Sequence, residues 1–466
     1  MHDFRSFIDL LEEQGELDRI AREVEPKQEL AGVMSKIEGL RRAYFFEQVT
    51  GAKFPVVGGL YNKLERFGMA LGHDFSTPFT PEEFDARIEA AKANPVGPKT
   101  VDSGPVKEVV ISGADVNLAD LPVATFFELD SGPFITAAVG IARDPESGIQ
   151  NIGVYRTLII GRNLFVINAS SLSDLRRIYA SWEARDEPMP IALALGVVPA
   201  MQIAGACKLA PNECEFEVAG GLQGAPIDLV RCEDSDLLVP ANAEFIIEGT
   251  VDFSNRVSNL LGEFAGQYGP ETAPVTTVNT ITHRRNPVFY SILAGRNPEH
   301  NTLGSVVTFG IQRSIIAALK EAIPEIKEIS VNSNPGMGTL AHITISIEKK
   351  SDKQPREIIE KAFAAGGAFF PVSRITKRVI VVDEDINVHD LADVEWAIWT
   401  RAADASKHIV LPNMQSWELE RAAKEGMKSV RIGIDATMDL EDVDKLIRPI
   451  IPGADEIKLE DYLRDD

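Results

Sequence analysis

Phe4, Phe7, Ile8 and Leu11 recur at three- and four-residue spacing, which predicts an amphipathic helix that Gly15 stops. Past that glycine the period shortens. Tyr44-Phe45-Phe46 and Phe54–Val57 read as short strands, with Gly58-Gly59 as a break, and Pro81–Ala93 reads as a polar helix. Residues 1–100 are therefore expected to form a small α/β region. The stretch Asn94–Pro105 (NPVGPKTVDSGP) is expected to be a linker, because its prolines and glycines deny it both helix and strand.

From 106 to 303 the apolar positions become strand-like and β-branched: Val109–Ile111, Thr136–Ile141, Tyr155–Ile160, Leu164–Asn168, Ile191–Leu195, Val275–Thr282 and Val288–Leu293. Gly161-Arg162-Asn163 separates two of them as a hairpin turn. Between 304 and 466 the pattern alternates. Helix is predicted at 305–322 and 355–364, and strand at 326–331, 341–347 and Val379–Val382, the signature of an α/β unit with its own sheet. The tail Leu440–Asp466 is charged and expected to be helical in part. The fold class is thus α/β (α+β) and multidomain.

Composition narrows the function without naming it. The 466 residues are 44% hydrophobic and 25% charged, a globular balance. A net charge of −23 speaks against nucleic acid and against an anionic membrane surface, both of which need clustered Lys and Arg. It leaves room for a small anion held by a few cations inside an acidic shell. Three cysteines, Cys207, Cys214 and Cys232, fit no disulfide framework and no zinc spacing. The N-terminus has no apolar leader, and no run of about 18 apolar residues occurs, so a cytoplasmic protein is expected.

Four segments could carry chemistry. Asn151-Ile152-Gly153-Val154-Tyr155-Arg156 offers a neutral oxygen, a permissive glycine and a bidentate cation; it reads equally as the start of a hairpin with a surface arginine. Glu213, Glu215 and Glu217 alternate before Val218-Ala219-Gly220-Gly221 and would share one face of a strand, as hard metal ligands or as a solvated edge. Leu261–Gly269 sets Glu263 among glycines, apolar and aromatic residues, a setting for a desolvated proton donor or for a plain turn. Lys377-Arg378 precede an apolar strand that ends in Asp383-Glu384-Asp385, a place for a phosphate or for helix-capping acids. No two of the seven histidines stand at i,i+4, and no Walker A loop or G-x-S-x-G elbow is present.

In this order the four segments resemble the UbiD-like decarboxylases. So do Phe4–Phe7 through Gly15-Glu16-Leu17, Leu238–Ala241 through Glu248-Gly249, Asp393–Arg401 and Gly433–Thr437, so that the likeness spans nearly the whole chain. The resemblance implies an N-terminal α/β region, a flavin-binding split β-barrel and a C-terminal α/β domain that mediates oligomerisation, to which Trp396, Ile398 and Trp399 could contribute. It implies prenylated FMN supplied by a separate flavin prenyltransferase, Mn²⁺ or a similar ion, and K⁺. The activity it implies is reversible loss of CO₂ from an aromatic, heteroaromatic or α,β-unsaturated carboxylic acid, with the flavin as electron sink and a carboxylic acid returning a proton.

Residue by residue, Asn151, Asp174 and Glu215 match the family's metal ligands, with Asp174 standing where many members have histidine. Gly153, Val154, Tyr155 and Arg156 fall with Asn151 in the cofactor-binding stretch, and Lys377 matches the lysine near the flavin phosphate. Arg156 matches the catalytic arginine and Glu263 the proton donor. Many members hold a second glutamate five residues before that acid; here the position is Ser258, which puts the carboxylate–arginine–carboxylate network in doubt. Two other readings stay open: a carboxylase subunit of a larger complex, and a non-catalytic flavin-binding or cofactor-maturation protein.

Overall fold

The computed structural model describes residues 3–466 apart from 75–76, 172, 211–212, 264, 333–340, 368–370, 447, 450, 459–461 and 463–466. The chain divides into two compact units. The first runs through Arg313 and takes in Glu418–Ala422; the second holds the remaining C-terminal residues.

In the first unit the predicted N-terminal helix is Phe4–Glu13. Asp3 caps it by accepting from the Arg5 amide at 2.7 Å, and Phe4, Phe7, Ile8 and Leu11 are its buried stripe. A four-stranded sheet follows in the order Leu17–Ile20, Ala43–Phe46, Val56–Gly58 and Phe289–Tyr290. Its last strand comes from 230 residues downstream of the third, which no local pattern could announce. Pro81–Ala93 is helical as predicted, with Thr80 as cap. The expected linker is not wholly irregular: Lys99–Thr100 pairs in parallel with Asp228–Leu229.

The centre of this unit is a nine-stranded sheet. One edge is Phe134–Ile135, followed inward by Arg156–Gly161, Leu164–Asn168, Tyr268–His283, Phe245–Gly262, Met189–Leu195 and Val139–Arg143, with Gln150–Val154 at the other edge; the ninth strand, Val109–Ser112, pairs off this path with Tyr268–His283. Gln150–Val154 and Arg156–Gly161 lie near opposite ends of that order, yet only Tyr155 separates them in sequence. One residue spans at most ~3.6 Å. Tyr155 therefore joins the end of one edge strand to the start of a strand next to the other edge, a seam about which the sheet curls. Phe134, Phe165, Leu193 and Phe245 fill its interior with essentially no exposure.

Two features depart from the sequence reading. The strands Phe245–Gly262 and Tyr268–His283 form one long hairpin, of which only Val275–Thr282 was expected. Its outer half is polar and carries Pro270 and Pro274, which read as breakers. The stretch around Glu215 is a helix, Glu215–Gln223, not a strand; Gly224 closes it in the left-handed region at φ 73°. At a helical period the three glutamates no longer share a face. Glu215 is buried, Glu213 half-buried and Glu217 exposed.

The second unit is an α/β layer. Its five-stranded sheet runs Ile326–Asn332, Ala341–Ile347, Thr376–Asp383, Lys428–Ala436, His408–Gln415, with the three central strands parallel. The acids at the end of Thr376–Asp383 hold a cation of the fold itself, since Asp383 and Asp385 both accept from the buried Arg401, at 2.6–2.8 Å. On the helix Leu391–Arg401, Ile398 packs against the core while Trp399 is 83% exposed and Trp396 36%. Among the described residues of the tail, helix is limited to the short 3₁₀ turns Val443–Lys445 and Ala454–Glu456.

Candidate functional site

The seam at Tyr155 carries the first candidate segment. Asn151 to Val154 end one edge and Arg156 begins the strand near the other. Val154 is half-buried between two apolar clusters. Tyr155 is buried in a different apolar cluster, and its ring lies over Gly140 and Gly153; a Cβ on Gly153 would stand 2.6 Å from the phenol Cζ. The glycine is thus needed by Tyr155.

Glu215 reaches this seam from the first turn of its helix. Its Oε1 accepts from Asn151 Nδ2 at 2.8 Å and its Oε2 from the Ile152 amide at 3.4 Å. Asp174 begins the helix Asp174–Glu183, capped by Ser173, and its Oδ2 accepts from Lys208 Nζ at 2.7 Å. Asn151, Asp174 and Glu215 line one cavity of ≈ 20 Å³, room for one water-sized or ion-sized occupant. Burial pushes the Glu215 carboxyl up to about 7, and the Asp174 charge adds to the effect. Burial also raises the Tyr155 phenol, with Asp174 and Glu215 next in effect. Two carboxylates and an amide oxygen around a desolvated, electron-rich cavity fit a hard divalent cation. Asn151, Asp174 and Glu215 are the residues that would hold it. The lysine expected near the flavin phosphate, Lys377, belongs to the second unit, where its Nζ donates to Ser429 Oγ and the Val430 carbonyl.

Arg156 pairs with Glu263, which is 7% exposed. The acid sits in the tip of the long hairpin, where Gly266 at φ 80° makes the turn and donates to the Glu263 carbonyl at 2.9 Å. Phe127 lies against Gly262 on one side and Gly295 on the other. His300 is half-buried; desolvation first, then the Arg156 charge, push it down to about 3, so its ring is neutral at pH 7. Of the predicted residues, Arg156 and Glu263 are brought together, as are Asn151, Asp174 and Glu215. Ser258 is not part of the pair. It is exposed on the other side of the strand, its Oγ 2.9 Å from Thr272 Oγ1.

Sequence reasoning missed the segment Glu418–Ala422, which has no motif of its own. Glu418 accepts from Ser170 Oγ, the Ser171 amide and Ser171 Oγ at 2.8–2.9 Å. Arg421 and Glu263 converge on Gly269, whose Cβ would lie 2.5 Å from Arg421 Nη2 and 2.6 Å from Glu263 Oε1. Only Ser170 and Ser171, three and four residues before Asp174, hinted at a polar loop here.

Against known proteins, the chain matches the 3-octaprenyl-4-hydroxybenzoate carboxy-lyase family in three parts: its N-terminal domain over residues 8–80, its Rift-related domain over 99–297 and its C-terminal domain over 306–436. Among solved structures it is similar to the UbiD-class enzyme HmfF from Pelotomaculum thermopropionicum in complex with FMN, at 34% identity and TM-score 0.82, covering 99% of this chain and 100% of that one. An evolved dimeric form of the same enzyme, in complex with prFMN, gives 33% identity and 0.79 over 99% and 100%. The vanillic acid decarboxylase of Sedimentibacter hydroxybenzoicus in closed form gives 27% and 0.81 over 99% and 98%. No single helix among the described residues is long and apolar enough to cross a membrane.

Proposed function

The chain belongs to the UbiD family, and from that premise we propose that it is a carboxy-lyase that decarboxylates an aromatic, heteroaromatic or α,β-unsaturated carboxylic acid, reversibly and without net oxidation, using prenylated FMN. One observation carries the reading furthest. Arg156, paired with the buried Glu263, starts the strand that follows Tyr155, and Asn151, at the cation cavity, precedes Arg156 by five residues, ~18 Å of extended chain at most.

The bound flavin supplies an electron sink for the carbon that loses CO₂. The chain's own groups supply the rest. Arg156 offers a guanidinium for the substrate carboxylate and keeps the Glu263 side chain in place. Glu263, buried and paired with Arg156, is placed to return a proton to the carbon after CO₂ leaves. Asn151, Asp174 and Glu215 would anchor a divalent ion such as Mn²⁺ against the cofactor's phosphate.

The enzyme is proposed to be cytoplasmic, in keeping with three free cysteines, and homo-oligomeric through its C-terminal unit, where Trp399 is exposed. The test is to load the protein by co-expression with a flavin prenyltransferase and screen a panel of unsaturated acids for CO₂ release. Flavin-dependent release from at least one acid is expected. A loaded, folded protein that releases none would overturn the proposal.

A further inference from the structure

Directly opposed residues of an antiparallel pair point to one face, and so do residues i and i+2 of a strand. Arg156 is opposite Asn168. Asn168 and Asn259 exchange two amide hydrogen bonds of 2.8 and 3.0 Å, although 91 residues separate them. Asn259 is opposite Glu271, and Ser258 is opposite Thr272. Arg156, Asn168, Asn259 and Glu271 therefore occupy one face of the sheet, the face on which Asn168 and Asn259 are buried. Ser258 and Thr272 occupy the other, and both are exposed.

Glu271 has no role in the pair described above, yet its surroundings are those of Arg156. Burial pushes its carboxyl up; Arg176 and Arg156 pull it down, and Glu418 and Glu263 push it up. Other charged groups at this end of the hairpin, among the described residues, are Arg421 beside Gly269, Arg296 against Gly266 and Asp130, which accepts from the Gly262 amide at 3.0 Å. His300, which also faces Arg156, is neutral.

We propose that Glu271 is a positioning residue for Arg156, the second carboxylate of the network, delivered from the opposite strand of the hairpin in place of position 258. This rests on the decarboxylase reading. Charge within the network is shared: Arg156 is held between two acids, one of which donates the proton. Replacing Glu271 by Gln leaves the Arg156 charge to Glu263 alone. That favours the ionised form of the pair, so the proton donor is exhausted at lower pH.

The experiment uses holoenzyme carrying Glu271→Gln, Glu271→Asp, Ser258→Ala and Glu263→Gln. For E271Q the expected result is a loss of about tenfold or more in kcat with KM unchanged or lower. The alkaline limb of its kcat–pH profile should move to lower pH by about one unit. E271D should recover part of the loss, and S258A should match the wild type. A wild-type profile for E271Q, or a loss in S258A instead, overturns the proposal. An inactive wild type overturns the decarboxylase reading and leaves Glu271 to a second measurement, a thermal-unfolding double-mutant cycle of E271Q with Arg156→Met. Non-additive midpoints support the contact, and additive ones overturn it.

Discussion

Glu38 and Glu299 are both fully buried carboxyl groups, and they meet through backbone and tyrosine donors. Glu38 Oε2 accepts from the Glu299 amide at 2.9 Å and Oε1 from Tyr44 Oη at 3.1 Å. Glu299 accepts from the Gly59 and Tyr61 amides at 2.7 and 3.0 Å and from Tyr290 Oη at 2.8 Å. Burial, and then the Glu299 charge, raise the Glu38 carboxyl to about 8. Burial raises Glu299 as well, against the donors that favour its charged form. A carboxyl whose folded value lies above its unfolded value stabilises the fold fully below the unfolded value, and that stability is lost as pH rises through the folded one. At ~1.4 kcal/mol per unit, the loss between pH 4.5 and 8 amounts to a few kcal/mol. Glu38→Gln can keep both hydrogen bonds, its oxygen accepting from the Glu299 amide and its nitrogen donating to Tyr44. It should match the wild type near pH 5 and exceed its local stability by a few kcal/mol near pH 9. The assay is hydrogen exchange at the Gly59 and Tyr61 amides, corrected for the intrinsic pH dependence of exchange. Parallel pH dependences in the two proteins would refute the reasoning.

Glu215→Gln removes one charge from the cation cavity while keeping its shape; metal analysis of the purified protein should show the bound divalent ion strongly reduced, and flavin content should fall with it. Gly153→Ala drives a methyl group into the Tyr155 ring and should cost about 1–3 kcal/mol in denaturant unfolding, with Tyr155 displaced from the seam. Light scattering should return a mass of at least twice the 50.9 kDa chain, and Trp399→Glu should lower it.

The sequence made some of this architecture legible and hid the rest for physical reasons. Helices with one apolar stripe and a cap, such as Phe4–Glu13 behind Asp3 and Pro81–Ala93 behind Thr80, announce themselves locally. So do apolar strands of the second unit such as Ala341–Ile347. Glu215 reads as part of a strand because three alternating acids mimic a period of two, whereas the helix depends on packing of Phe216 and Val218 and on the Gly224 stop. The Arg156–Glu263 pair and the three cavity-lining oxygen ligands were found by resemblance, since 107 residues separate the first two and spacing says nothing about them. Glu271 was missed because its relation to Arg156 is a register, visible only once the long hairpin is aligned strand against strand. The outward turn of Ser258 follows from the same register.

The central claim, that Glu263 returns the proton while Arg156 holds the carboxylate, is tested most directly with Glu263→Gln holoenzyme. Single-turnover CO₂ release and exchange of the product's proton with deuterated solvent are measured on the acid the wild type accepts. Loss of a positioned proton donor typically costs about 10²–10⁴-fold. The account predicts a loss of that size in both turnover and exchange, with flavin and metal content unchanged, because the cavity ligands Asn151, Asp174 and Glu215 are untouched. Turnover and exchange at wild-type rates in a fully loaded Glu263→Gln protein would contradict it and assign the proton to another group.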